Sequence, residues 1–265
     1  MVRTIVVNID SKYRTNYYNS VSTDFMINLN YPLVNVQSIK VSNVQIPNSW
    51  NNISEAQKNN YIVLNDGIGG DQKFIIPDGS YTNISLPKAF RSIIATGETQ
   101  PFSTKYMFDI DKNNALTTIQ YTQTGTFTFK LRDDNSDPRD SLGWLMGFRK
   151  DSFSNANQYT SKSTFNGVPF RYLYLVIDDF NLNSSELIIG NLENSYVSGN
   201  ILAIIRINSG NYGVVHTDNY ETQTRTYNNP VSINKLHVKL MDPDGNAVDL
   251  NYMELSFSLE FTMTE

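Results

Sequence analysis

Two runs of strictly alternating apolar and polar residues close the chain, and they restrict its fold more than any other feature. In the first, Leu236, Val238 and Leu240 alternate with His237 and Lys239. In the second, Leu255, Phe257, Leu259 and Phe261 alternate with Ser256, Ser258 and Glu260. Strand side chains point to opposite faces with a period of two, so each run offers one face to a core and one to water. Between them stands Asp242-Pro243-Asp244-Gly245, where proline presets φ at the second turn position and glycine accepts the positive φ that follows. The pattern predicts a hairpin from Val231 to Met263 with a type I turn. Two strands cannot shield a row of Leu, Val and Phe from water. The earlier chain must therefore supply sheet neighbours and an opposing sheet.

Upstream, residues 1–21 hold a short apolar run, Ile5 to Val7, and a polar aromatic tract with Tyr13, Arg14, Tyr17 and Tyr18. They read as an N-terminal arm outside the sandwich, one that adds a strand to a sheet edge or crosses a neighbouring subunit. A sandwich would survive the loss of such an appendage. Alternation begins at Phe25, Ile27 and Leu29 and closes at Pro32. A longer strand, Val34 to Ile46, changes phase between Ile39/Val41 and Val44/Ile46, which predicts a bulge. Tyr61–Leu64 and Phe74–Ile76 form a second hairpin around Gly67, Gly69 and Gly70. Leu86, Phe90, Ile93 and Ile94 are spaced for one helix face over 85–96, with Pro87 in the first turn and Gly97 as the stop. A second helix runs from Asp137-Pro138 to Gly147 with Leu142 and Leu145 inward. A meander of Tyr106–Ile110, Ile119–Tyr121 and Phe127–Leu131 lies between the helices. Tyr172–Ile177 and Ile201–Ile207 are near-continuous apolar strands covered on both faces, and 216–229 is polar loop. The expected architecture is all-β: a single jelly-roll antiparallel β-sandwich over 22–265, with two short helices in inter-strand loops.

A length of 265 residues suits one large β domain, and 40% hydrophobic with 18% charged residues describes a globular chain. A net charge of -5 argues against a non-specific grip on nucleic acid, which needs clustered Lys and Arg. With no cysteine, disulfides, thiolate metal sites and thiol nucleophiles are excluded. No apolar run reaches membrane-spanning length, and the opening nine residues are too short for a secretory signal. The sequons at Asn52, Asn83 and Asn183 are therefore expected to be chance occurrences.

Candidate chemistry is sparse. The two histidines, His216 in a loop and His237 on a polar strand face, belong to no catalytic motif. Asp133/Asp134 and Asp178/Asp179 are adjacent acids; on a strand such neighbours face opposite ways, so they read as solvated strand-end residues. Asp109, Asp111 and Asn113 imitate the start of a calcium loop, but Asn114 and Gln120 replace the required glycine and glutamate. Asp242, Asp244 and Asn246 are turn residues, and the three loop glycines lack the Lys-Ser of a phosphate cradle. Trp144 and Phe148 are packing or interface residues rather than a sugar platform. No enzyme activity, cofactor or metal is expected.

Six stretches taken in order resemble the single jelly-roll penton and related minor capsid proteins of nucleocytoplasmic large DNA viruses, the giant viruses, and their virophages. They are Ile9-Asp10-Ser11-Lys12-Tyr13-Arg14, Ser22-Thr23-Asp24-Phe25, Gln45-Ile46-Pro47-Asn48-Ser49-Trp50, Leu142-Gly143-Trp144-Leu145-Met146-Gly147-Phe148, Leu173 to Phe180, and the closing stretch. Met146 stands where the resemblance leads one to expect Leu. The resemblance implies a structural capsid protein of the virion, made in the host cytoplasm. It implies a homo-pentamer that closes the five-fold vertex and docks to the major capsid protein and other minor capsid proteins. Tyr and Arg are enriched at interface cores, so Arg3, Tyr13, Arg14, Tyr17, Tyr18, Trp144 and Phe148 are the expected assembly contacts. The competing expectation is a carbohydrate-binding jelly-roll module of a fibre or surface protein.

Overall fold

The structure is a computed structural model; it describes the chain apart from residues 135, 169, 182–187, 208–212, 216–219, 265 and the side chain of Tyr220. His216 and the Asn183 sequon lie outside the described residues. The chain divides into two compact units, residues 1–50 with 170–265, and residues 51–169. The first segment carries β1 (Val2–Asp10) and β2 (Asp24–Pro47). The second carries β3 (Tyr61–Asn65), β4 (Gln72–Ile75), α1 (Ser85–Ser92), β5 (Tyr106–Ile110), β6 (Leu116–Tyr121), β7 (Phe127–Lys130), α2 (Leu142–Leu145), β8 (Ser152–Ala156) and β9 (Gln158–Thr164). The last carries β10 (Tyr172–Asp178), β11 (Gly190–Asn191), β12 (Tyr196–Val197), β13 (Ile201–Arg206), β14 (Val214–Val215), β15 (Tyr220–Thr222), β16 (Arg225–Met241) and β17 (Ser256–Thr264).

In the first unit the sheet order is β1-β17-β2-β16-β10-β13-β15, with β14 on β2. The two closing runs are strands, but they do not pair with each other: β2 lies between them. The turn itself forms as its residues require. Gly245 has φ +88°, its N–H donates to Asp242 O at 3.1 Å, and the Asp242 carboxylate accepts from the N–H groups of Asp244 and Asn246. Pairing persists only at Met241 opposite Ala247. Alternation specifies a face for each strand and leaves the neighbour open, and β2 supplies a neighbour to both.

β2 manages this through bulges. Two residues of β16, Ile233 and Lys235, face Leu33 and Asn28, so 29–32 are looped out against Asn234. Pro32 sits in that bulge, where its missing N–H interrupts no ladder. Pro32 thus bends the strand without closing it. The phase change near Val41 is a second bulge: Ser258 and Leu259 face Asn43 and Val41, leaving Ser42 extra. Residues 2–10 add the edge strand that was one of the two expectations for the arm: β1 joins β17 through nine consecutive pairs, and it buries Ile9. Ile9 belongs to the core of this unit, with Ile5 and Val7 packed against it, so removal of 1–20 would strip core residues.

Asp179, expected to be a solvated acid, lies buried in the first unit. Arg225 Nη1 donates to Asp179 Oδ2 and to Ile177 O, each at 2.8 Å, and Nη2 donates to Asn200 O at 2.9 Å. Tyr227 Oη donates to the same carboxylate at 2.5 Å. Burial first, then the Asp179 charge and hydrogen bond, push the Tyr227 hydroxyl far above its ordinary range, so it remains a donor. Within the stretch read as loop, Tyr220–Thr222 form β15 and 225–229 are the start of β16.

The second unit has two sheets, β4-β3-β7-β8 and β5-β6-β9, whose inward residues share one core. The expected β3–β4 hairpin is present. The expected meander is split, because β7 leaves β5 and β6 to pair with β3. Helix α1 starts at Ser85 but ends at Ser92, four residues early, since Ile94 and Ala95 turn extended to bridge Pro101 and Phe74. The second helix is divided by two successive caps. Asp137 accepts from Arg139 N–H before the 3-10 turn Pro138–Asp140, and Ser141 Oγ accepts from Trp144 N–H before α2. Asn52 clamps two loops here, its amide donating to Tyr81 O at 2.7 Å and Gly167 O at 2.8 Å while accepting from Tyr81 N–H.

Phe257→Ala is expected to destabilise the fold by about 3–5 kcal/mol, since the buried ring leaves a cavity beside Ile9 and Val44. Ser258→Ala removes one hydrogen bond to Asn8 and should cost about 1 kcal/mol; urea melts of the two variants check the ordering. Arg225→Met alone should cost about 3–5 kcal/mol because Asp179 is left buried and uncompensated. Adding Asp179→Leu should recover much of that loss, which the corresponding double-mutant cycle measures.

Candidate assembly surface

The aromatic tract after β1 is held in place from the far end of the chain. Asp10 caps a 3-10 turn, Ser11–Tyr13, by accepting from Lys12 N–H at 2.8 Å, and a second 3-10 turn spans Tyr17–Asn19. Glu254, just before β17, organises both. Its carboxylate accepts from Arg14 Nη1 at 2.7 and 2.9 Å, from Tyr17 Oη at 2.9 Å, and from Ser11 Oγ. The Arg14 guanidinium also lies 3.9 Å from the Tyr17 ring centroid, a cation–π contact. Three further bonds join the segments: Ser22 Oγ donates to Met253 O at 2.7 Å, Ser11 N–H donates to Leu255 O at 2.9 Å, and Leu255 N–H donates to Ser11 Oγ at 3.0 Å.

This bracing leaves large side chains facing water. Tyr18 is 95% exposed and Tyr13 72%; Tyr252 is fully exposed, and Val21 and Met253 are at least half exposed. Exposed aromatic and Met side chains are the types enriched at interaction sites. Asn251 and Tyr252 have φ of +50° and +63°, the left-handed region that non-glycine residues adopt sparingly, and there Tyr252 points its ring outward.

The expected contacts sort clearly. Arg3, Tyr13, Tyr17 and Tyr18 are exposed, and the rings of Tyr17 and Tyr18 meet edge-on at 5.3 Å. Arg14 is not available: its side chain is 7% exposed and committed to Glu254. Phe148 is fully buried against Phe129 and Phe153 at 4.8 and 5.3 Å, so it is a core residue and not a contact. Gly147 places it there, with φ +94° and no room for a Cβ, which would stand 1.9 Å from Ser163 O. Trp144 is half-buried beneath the Arg149 guanidinium at 4.3 Å. Sequence reasoning missed Glu254, Tyr252 and Met253, which lie outside the alternating pattern.

The remaining polar clusters are structural in form. His237 Nε2 meets Asp24 Oδ1 at 2.6 Å on the surface. Asp133 binds Lys73 and Tyr61, and Asp111 closes a turn by accepting from Asn113 and Asn114 N–H. Among the described residues no group of three or more His, Asp or Glu is placed to hold a metal ion.

The class that this arrangement defines is an all-β, jelly-roll-like fold with two short helices in its inter-strand loops. Among solved structures it is similar to the mavirus penton protein, at 12% identity and a TM-score of 0.53, with 99% of this chain and 100% of that chain covered. A chain of the Sputnik virophage structure is also similar, at 14% identity, 98% coverage of both chains and a TM-score of 0.46. No family model and no curated protein sequence matches the chain.

Burial opposes ionisation of Glu254, but the hydrogen bonds from Arg14, Ser11 and Tyr17 outweigh it and hold the carboxyl below its ordinary value of 4.5. A depressed folded-state pKa contributes stability that is present above the unfolded value and lost as pH falls through the folded one. The N-terminal turns should therefore keep amide-exchange protection at neutral pH and lose it below about pH 4.5. Glu254→Gln should show weakened protection of residues 11–20 already at neutral pH, with a flatter acid response.

Proposed function

We propose that the chain is a structural subunit of a viral shell, and more specifically the penton protein that closes five-fold vertices as a homo-pentamer. On this reading it resides in the virion, is made in the host cytoplasm, and docks to the major capsid protein and other minor capsid proteins. The observation that carries the reading is the set of water-facing side chains Tyr13, Tyr17, Tyr18, Val21, Tyr252 and Met253, carried on two segments tied together through Glu254 and Met253. Tyr17 is held by the Arg14–Glu254 pair, so its contact area leaves little ordering to do on association. The fold supports it, since the likeness to a penton protein spans both chains.

The free side of β1 supports it further. Among the described residues β1 pairs only with β17, and Val2 to Asp10 contains neither Pro nor Lys, with Arg3 its one basic residue, so little along the strand protects the exposed edge. Val2 and Val6 are more than half exposed along it. An edge of this composition can accept a strand from a neighbour. In a ring the contact is heterologous: each subunit offers one surface and receives another.

The double variant Tyr13→Ala/Tyr18→Ala should change stability by no more than about 0.5 kcal/mol, as exposed substitutions do, while sharply reducing incorporation when the chain is co-assembled with the other shell proteins. Density for the chain at five-fold positions of the particle is the accompanying expectation. Wild-type incorporation by the double variant would remove this surface from the assembly reading, and saturable binding on a glycan array would favour a carbohydrate-binding module.

A further inference from the structure

Asn166-Gly167 is the one Asn-Gly pair in the chain, and glycine leaves the nitrogen that follows an asparagine unshielded by any side chain. In the second unit Asn166 is exposed, two residues after β9. Its backbone is fixed, since Phe165 N–H donates to Ala115 O and Asn166 N–H to Leu145 O, each at 2.8 Å. Its side chain is fixed as well. Asn166 Oδ1 accepts from Val168 N–H at 3.2 Å, an Asx turn that folds the amide back over the intervening peptide. Among the described residues the Gly167 N–H inside this turn has no acceptor. Gly167 O, in contrast, is held by Asn52 Nδ2 at 2.8 Å.

These contacts suit an intramolecular attack. Gly167 N, once its proton passes to solvent hydroxide, bonds to Asn166 Cγ; the Cγ–Nδ2 bond breaks, the departing nitrogen takes a proton back from water, and ammonia leaves a five-membered imide behind. Negative charge develops on Oδ1 in the transition state, where Val168 N–H already donates. Water then opens the ring. Attack at Cγ gives aspartate, and attack at the main-chain carbonyl carbon gives isoaspartate, whose backbone carries an extra methylene before Gly167. Gly167 has no slack to absorb it: a Cβ there would stand 3.1 Å from the Phe165 ring and 3.3 Å from Tyr81 O. The lengthened chain therefore draws Gly167 O away from Asn52.

We infer that Asn166 is a self-modification site: the folded chain converts it through a cyclic imide to isoaspartate and aspartate, and the conversion releases the Asn52 clamp. The inference does not rest on the assembly reading. The test incubates the full chain in mildly alkaline buffer, folded and in urea, and maps residue 166 by mass spectrometry with isoaspartate methylation. Asn166→Gln, whose longer side chain would have to close a larger ring, is the control. Expected is conversion in the folded chain within about tenfold of the rate in urea, a barrier difference of at most about 1.4 kcal/mol. Tyr81 N–H, which donates to Asn52 Oδ1 at 2.8 Å, should lose amide-exchange protection in step with isoaspartate content and keep it in incubated Asn166→Gln. An intact amide at residue 166 of the folded chain, after the unfolded chain has converted, overturns the site. Full Tyr81 protection in the converted chain overturns its link to the clamp.

Discussion

Hydrogen bonding along β2 couples both closing strands of the first unit. At Val36, Ser38 and Ile39 the strand is paired on both sides, with β16 through Val231, Thr226 and Arg225 and with β17 through Met263, Thr262 and Phe261. Beyond that stretch it serves one partner at a time: β16 toward Asp24, β17 toward Gln45, and finally β14 at Ile46 and Pro47. A slip of one residue would move Val36, Ile39 and Val41 from core to solvent and drag two neighbours with it. The bulges at 29–32 and Ser42 are what let a 24-residue strand satisfy several ladders without losing its buried face.

The Arg225–Asp179–Tyr227 group acts at the point where this coupling begins. Arg225 stands opposite Ile39 and spends its donors on Asp179 and on the carbonyls of Ile177 and Asn200. A well-packed apolar trio could match it in stability, but apolar residues would accept several registers. A guanidinium with three assigned acceptors accepts one, which suits the first residues of a strand that must enter an already crowded sheet.

Which face of each strand is buried was legible in the sequence; which strands are neighbours was not. Leu236, Val238, Leu240, Phe257, Leu259 and Phe261 are all buried as their alternation demands, and the phase change at Val41 marked a true bulge. The partner of each run depended on residues two hundred positions away, which periodicity does not encode. Helix ends were misplaced for a similar reason: bridges to Phe74 and Pro101 stop α1 before Gly97. At the surface, Tyr13, Tyr17 and Tyr18 stood out by composition, whereas Glu254 is an ordinary acid until folding sets it against Arg14. Asp179 misled because an acid at a strand end is usually solvated, and only Arg225, 46 positions on, makes its burial tolerable.

The clamp formed by Asn52 has a consequence for how the chain can be produced. Its amide nitrogen is occupied by Tyr81 O and Gly167 O, yet Asn52-Ile53-Ser54 is also an acceptor sequence for N-linked glycan. In a secretory host the transferase meets the nascent segment before residue 167 has been synthesised, so modification precedes the closure that would hide the site. A glycan placed there would hold the two loops apart, and the outcome of folding would be decided by a race between translation and an enzyme. Synthesis on cytosolic ribosomes removes the competitor.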